Sequence, residues 1–66
     1  MQIVLNGDVM EAANGATVGT LLVQLGISRE RVAVELNAAI VPKVDYDTRL
    51  LSDDDKIEIV HFVGGG

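Results

Sequence analysis

The sequence has no cysteine, no tryptophan, one proline and only two aromatic side chains, Tyr46 and Phe62. Without cysteine there can be no disulfide framework, no thiol nucleophile and no persulfide carried on a side chain. One histidine, His61, and no cysteine also leave zinc without its usual ligands. Two aromatic rings are too few for a base-stacking platform. Cations are scarce as well: five Lys and Arg against ten Asp and Glu give a net charge of −5, the wrong sign for binding phosphate backbones. No apolar run approaches the ~20 residues of a membrane-spanning helix. No cationic segment followed by an apolar stretch opens the chain, so no signal peptide is expected. The lack of cysteine fits a reducing compartment, and a cytoplasmic location is expected.

Catalytic groups are equally thin. The serines are Ser28 and Ser52, and nothing around them or His61 supports a nucleophilic triad. Asp53-Asp54-Asp55 lacks the alternating spacing of a calcium loop and reads as a charged turn. Gly64-Gly65-Gly66 comes after a strand but opens no helix, so it is not a phosphate-cradling loop.

What is present is a small, apolar-rich chain of 66 residues, enough for one domain and one core. Met1–Asn6 reads as a strand. Asn6-Gly7 is a strong hairpin signal, because a type I′ turn needs positive φ at both central residues. Asp8–Ala13 returns antiparallel, which puts Ile3 opposite Met10, sends Ile3 and Leu5 to the core and leaves Gln2 and Val4 on the other face. After a turn at Asn14-Gly15, Thr17 is placed to cap a helix. Val18, Leu21, Leu22 and Leu25 then fall at i, i+3, i+4 and i+7, one helical face, and Gly26 suits the left-handed position that closes it. Gly19 weakens this helix and has no local explanation beyond close packing.

Ser28–Arg31 is a polar connector. Val32–Asn37 alternates and reads as a third strand, Asn37-Ala38-Ala39 as a tight turn, and Ile40-Val41 as a very short strand limited by Pro42. Lys43–Ser52 has no clear period and is expected to be a loop, with one helical turn at most, pinned by Leu50 and Leu51. Asp53–Asp55 leads into a final β-prone run, Ile57 to Val63. The order β, β, α, β, short β, β predicts an α+β domain: one sheet with a single helix packed on one face.

The three glycines that close the sequence stand out. They are a frayed terminus, a linker, or the working end of the protein. A terminal carboxylate is anionic at neutral pH and resists nucleophiles until it is activated, for example as an acyl-adenylate. Glycine lets another protein's backbone approach closely. Three extended residues reach roughly 10 Å, enough to enter a pocket while the folded body stays outside.

Asn6-Gly7, Ala16-Thr17-Val18 with Leu21-Leu22, Val32-Ala33-Val34-Glu35-Leu36-Asn37, Ile40-Val41-Pro42 and Ile57-Glu58-Ile59-Val60 running to Gly65-Gly66 occur in the order found in the ThiS family. The chain resembles these sulfur carriers of thiamine biosynthesis, which are ubiquitin-like β-grasp proteins, along nearly its whole length. The resemblance implies a mixed sheet of about five strands in a single β-grasp domain over residues 1–63, with residues 64–66 a flexible tail. It implies that Gly66, reached through Gly65 and Gly64, is adenylated by a ThiF-like enzyme using ATP and magnesium. Sulfur from a persulfide donor then makes a thiocarboxylate that serves thiazole synthase. No cofactor is expected on the chain itself, and no nucleic acid or membrane among its partners; the free chain is expected to be a monomer.

Two features depart from the family. The turn that is often Asp-Gly-Asp is Asp53-Asp54-Asp55 here, which Asp can accommodate at positive φ with some strain. Gly64 is an additional glycine. If Ile57 and Ile59 face the helix, then Glu58, Val60 and Phe62 share the opposite face with Val4, and these four are the expected partner-binding residues. Alternatives at this point are a carrier like the small subunit of molybdopterin synthase, a protein modifier, or an interaction module with an inert tail.

Overall fold

A computed structural model describes residues 1–63. Five strands, β1 (Gln2–Leu5), β2 (Asp8–Glu11), β3 (Val32–Leu36), β4 (Ala39–Ile40) and β5 (Lys56–His61), form one sheet in the order β2-β1-β5-β3-β4, with a single α-helix, α1 (Val18–Leu25). All neighbouring pairs are antiparallel except β1 and β5, which run parallel in the middle. The α+β expectation of a mixed sheet with one main helix holds.

The first hairpin is set by its turn. Leu5 pairs with Asp8, so Asn6-Gly7 is a two-residue loop, with φ of 47° and 86°, and Ile3 does face Met10. The second hairpin uses the same geometry: Leu36 pairs with Ala39, and Asn37 and Ala38 both take positive φ. This register moves the short strand one residue earlier than expected, to Ala39–Ile40. Val41 still donates its N–H to the Val34 carbonyl at 2.9 Å before Pro42 stops the ladder.

The helix is closed at both ends. The Thr17 hydroxyl accepts from the Thr20 N–H at 3.1 Å. The Thr20 hydroxyl accepts from the Thr17 N–H at 2.8 Å, which completes a capping box. The Val18 and Gly19 N–H groups, which no helical carbonyl can reach, donate to the Arg49 and Tyr46 carbonyls at 3.0 and 2.8 Å. At the other end Gly26 sits at φ 70°, and the Ile27 N–H reaches back to the Leu22 carbonyl at 2.9 Å.

Val18, Leu21 and Leu22 are buried against Ile3, Val32, Val34, Leu36, Ile57 and Ile59 from the sheet. Leu5 and Leu25 are half-buried against the same cluster. The aperiodic segment after Pro42 contributes more than expected. A 3₁₀ turn at Lys43–Asp45 drives Tyr46 into the core, where it is only 1% exposed and burial pushes its hydroxyl pKa up. Leu51 pins the segment by burial. Leu50 does not: it is 60% exposed and contributes through a backbone bridge to Thr17.

This packing explains Gly19. A Cβ there would land on Asp47 Oδ1 and lie 2.9 Å from Arg29 Nη2. Those two side chains form a bidentate pair, with N–O distances of 2.7 and 3.0 Å. The Arg29 guanidinium holds the Asp47 carboxyl below its ordinary pKa, so the pair's support is present at neutral pH and fades as acid protonates Asp47.

Asp54 takes φ 67° in the acidic turn, the left-handed conformation expected to strain an aspartate there. Its neighbours are occupied structurally. Asp53 Oδ1 accepts the Gln2 N–H at 3.0 Å, while Asp55 accepts from the Ser52 N–H at 2.8 Å and from Asn37 Nδ2 at 3.0 Å.

Two outcomes are expected in thermal unfolding. Gly19→Ala should gain about 1 kcal/mol of helix propensity but lose more to the clash with the ion pair, for a net loss of about 1–2 kcal/mol and a Tm lower by roughly 5–15 °C. Asp54→Gly and Ala38→Gly relieve left-handed strain, and each should raise Tm by a few degrees, corresponding to about 0.5–1 kcal/mol.

Candidate functional site

The expected working end, Gly64, Gly65 and Gly66, lies outside the described residues. The structure does show the strand that leads to them. β5 is the central strand, held by β1 on one side and β3 on the other. It alternates strictly: Ile57 and Ile59 enter the core, while Lys56, Glu58 and Val60 face away from the helix. The pairing with β3 continues past the strand's end, because the Phe62 N–H donates to the Arg31 carbonyl at 2.9 Å. Among the described residues, Phe62 is thus the last with a backbone hydrogen bond to the sheet.

The face opposite the helix is open. Val60 and Phe62 are 60% and 59% exposed, and Glu58 is exposed too. Val4 belongs to the same face but pairs with Lys56 in the parallel register, at the far end of β5 from Val60. The four expected partner-binding residues thus share one face, with Val60 and Phe62 together at the exit and Val4 towards the other end. Register adds residues that the sequence reading did not single out. Val9 lies opposite Val4, Ala33 opposite Val60 and Ile40 opposite Glu35. Val9 and Ile40 are 63% and 67% exposed. The turn chemistry of Asn6-Gly7 and Asn37-Ala38 was the signal that could have placed both.

Charge on this face is uneven. Glu58 pairs directly across from Glu35, an arrangement of like charges that disfavours the isolated sheet. At the exit the sign reverses. Lys43 Nζ lies 5.7 Å from the centre of the Phe62 ring, within range of a cation–π contact. The same ammonium group is 3.5 Å from Glu30 Oε2. Ala33, Ile40, Pro42, Lys43 and Phe62 line a shallow groove of about 200 Å³ there. His61 is exposed on the strand. Among the described residues, no group of three or more His, Asp or Glu is placed to hold a metal ion, and no helix is long and apolar enough to cross a membrane. The described body presents an apolar-and-acidic surface around a strand end.

The sequence model of the ThiS family matches residues 3–66. Over 63 residues the chain is 44% identical to the sulfur carrier protein ThiS of Bacillus subtilis (strain 168), covering 94% of this chain and 96% of that one. It is 48% identical over 66 residues to a thiazole synthase of Magnetococcus marinus, covering all of this chain but spanning only 20% of that protein's length. The fold matches the crystal structure of the thiamine biosynthesis protein (ThiS) from Geobacter metallireducens over the whole of both chains, with a TM-score of 0.86 and 32% identity. A β-grasp sheet with its last strand at the centre, and a family match running from the first strand through the closing glycines, together establish that the chain belongs to the ThiS family.

Proposed function

We propose that the protein is a sulfur carrier of thiamine biosynthesis whose working group is the carboxylate of Gly66. The family match over residues 3–66, which takes in the glycine end as well as the fold, carries this reading. In the proposed cycle a ThiF-like enzyme, supplied with ATP and magnesium, brings the α-phosphate to the Gly66 carboxylate. A carboxylate oxygen attacks phosphorus, pyrophosphate leaves, and the acyl carbon acquires AMP as a leaving group. The outer sulfur of a donor persulfide attacks the acyl carbon and AMP leaves, so that a C–O bond gives way to a C–S bond in an acyl disulfide. A thiol of a partner protein, since this chain has no cysteine, then attacks the donor's sulfur; the S–S bond breaks, that thiol and the donor are left as a disulfide, and Gly66 keeps the reduced sulfur as a thiocarboxylate. Thiazole synthase consumes that sulfur and the carboxylate returns. The relatives in which this sequence makes up a fifth of a thiazole synthase support the last partnership.

The chain's own part is to be held and presented. Val60 and Phe62, already exposed at the strand end, offer apolar contact to the adenylating enzyme and the synthase. Glu58, with Glu35 beside it, accepts a partner cation, and Val4 extends the contact along the face. Glycine at positions 64, 65 and 66 keeps the path to the partner's pocket narrow.

Intact-mass analysis tests the chemistry. Incubated with ATP, magnesium, the adenylating enzyme and a sulfur donor, the full chain should gain the mass difference between sulfur and oxygen. A Gly66-deleted chain should gain nothing, because its terminal carbonyl falls about 3.5 Å short. A full chain that stays unchanged while the enzyme hydrolyses ATP would sink the reading. For the surface, Phe62→Ala should leave Tm within a few degrees of wild type, since a mostly exposed side chain contributes within about 0.5 kcal/mol. Its affinity for the adenylating enzyme should drop on the order of tenfold, as for an interface residue whose truncation costs more than about 1 kcal/mol. Unchanged affinity would remove Phe62 from the interface.

A further inference from the structure

Asn6 does more than turn the first hairpin. Its backbone N–H donates to the Ile57 carbonyl at 2.8 Å, extending the parallel ladder between β1 and β5 by one bond. A straight β1 would next offer the residue 6 carbonyl to the Ile59 N–H and the residue 8 N–H to the Ile59 carbonyl. The chain has already turned away at Asn6-Gly7. The Asn6 carboxamide fills both places. Its Oδ1 accepts the Ile59 N–H at 2.8 Å, and its Nδ2 donates to the Ile59 carbonyl at 3.2 Å. A side-chain amide thus stands in for the missing peptide of β1, with donor and acceptor in the order a strand would have.

The position matters because it lies close to the exit. Ile59 is three residues before Phe62, the last of the described residues tied to the sheet, and the β1 register ends at Leu5–Ile57. Without the carboxamide, the β1 side of β5 would lose its hold two residues earlier, leaving the exit strand fastened from Ile59 onward by β3 alone. Only a residue that tolerates positive φ and carries both a donor and an acceptor on a short side chain can serve the turn and the ladder together, and asparagine meets all three demands.

We propose that Asn6 is a positioning residue for the C-terminal acyl group: its carboxamide clamps β5 at Ile59 and so fixes the root from which the glycine end is presented. This rests on the reading of Gly66 as the working group. A frayed root must be ordered again each time the end enters an enzyme, which lowers the fraction of chains competent to dock. Once docked, the acyl group and its chemistry are the same. The clamp therefore acts on apparent affinity and not on the chemical step.

Asn6→Gly tests this cleanly. Glycine holds the left-handed turn without strain, so the variant removes the carboxamide and little else. Amide exchange at Ile59 should quicken on the order of tenfold, as expected for a lost hydrogen bond, while exchange at Ile3 and Val34 reports that the core stays folded. With the adenylating enzyme and ATP, KM for the carrier should rise on the order of tenfold at unchanged kcat. Asn6→Asp, which keeps the acceptor for the Ile59 N–H but has no donor for its carbonyl, should fall between wild type and Asn6→Gly in both measurements. Exchange at Ile59 no faster than in wild type would show that there is no clamp. Faster exchange with an unchanged KM would reduce Asn6 to a purely structural residue. A wild-type chain that the enzyme never adenylates would overturn the positioning role together with the Gly66 reading, whereas the exchange arm alone separates that failure from the absence of a clamp.

Discussion

The parallel pairing of β1 with β5 is the contact on which the rest of the structure depends. It joins segments more than fifty residues apart, as the Asn6–Ile59 and Gln2–Asp53 bonds record, with sequence separations of 53 and 51. Closing so long a loop carries an entropic cost that local contacts cannot meet. Ile57 and Ile59 offset it, because they enter the core only when β5 lies between β1 and β3. Everything near the joint secures it. The Val4 N–H bonds the Asp55 carbonyl at 2.9 Å, and the Asp54 N–H bonds the Gln2 carbonyl at 2.7 Å. On the other flank Asn37 brackets Lys56, donating its N–H to the Lys56 carbonyl at 2.7 Å and accepting the Lys56 N–H on Oδ1 at 2.9 Å. The acidic run that looked like surface charge is in large part a knot of backbone acceptors at the start of the central strand.

A second layer of the fold holds the helix against this sheet without belonging to either. Residues 46–51 lend carbonyls to the helix N-terminus, bury Tyr46 and Leu51, and lay Asp47 over Gly19. A helix of eight residues is too short to be stable alone. Its capping box and the two loop carbonyls satisfy the N–H groups that such a short helix leaves open. The absence of a side chain at position 19 lets the loop come close enough to do so, which is why glycine, a poor helix former, stands in the second helical position.

Local chemistry made the elements legible, and distance hid their arrangement. Asn6-Gly7 announced its hairpin and register, and Thr17, the Val18-Leu21-Leu22 stripe and Gly26 marked the helix within a residue. The alternation of Ile57 to Val60 correctly separated core from open face. Strand order was not legible from any window, because the β1–β5 contact leaves no local trace. Tyr46 was hidden in a segment without period, since one large side chain filling one hole has no periodicity to detect. Leu50 and Leu51 were indistinguishable as letters, and only tertiary packing decided that one is buried and the other exposed. At the candidate site the face was readable, Val9 followed from the Asn6-Gly7 register without being drawn out, Ile40 needed the Asn37-Ala38 turn, and the carboxamide bonds of Asn6 required the sheet.

The open face shows what the domain was not optimised for. A free-standing sheet would be better served by polar residues at Val9, Ile40, Val60 and Phe62, and by opposite charges at Glu35 and Glu58. A domain this small has little stability to spare for such choices. Between helix and sheet, by contrast, Val18, Leu21 and Leu22 pack against Ile3, Val32, Val34 and Ile57, and among the described residues no buried polar side-chain atom lacks a partner. The two faces therefore answer to different demands. One is packed as an interior; the other keeps apolar and like-charged residues beside the strand that precedes the closing glycines. That asymmetry is what the proposed contact with partner enzymes requires of the body, and it converges on the same strand that the β1–β5 joint holds in place.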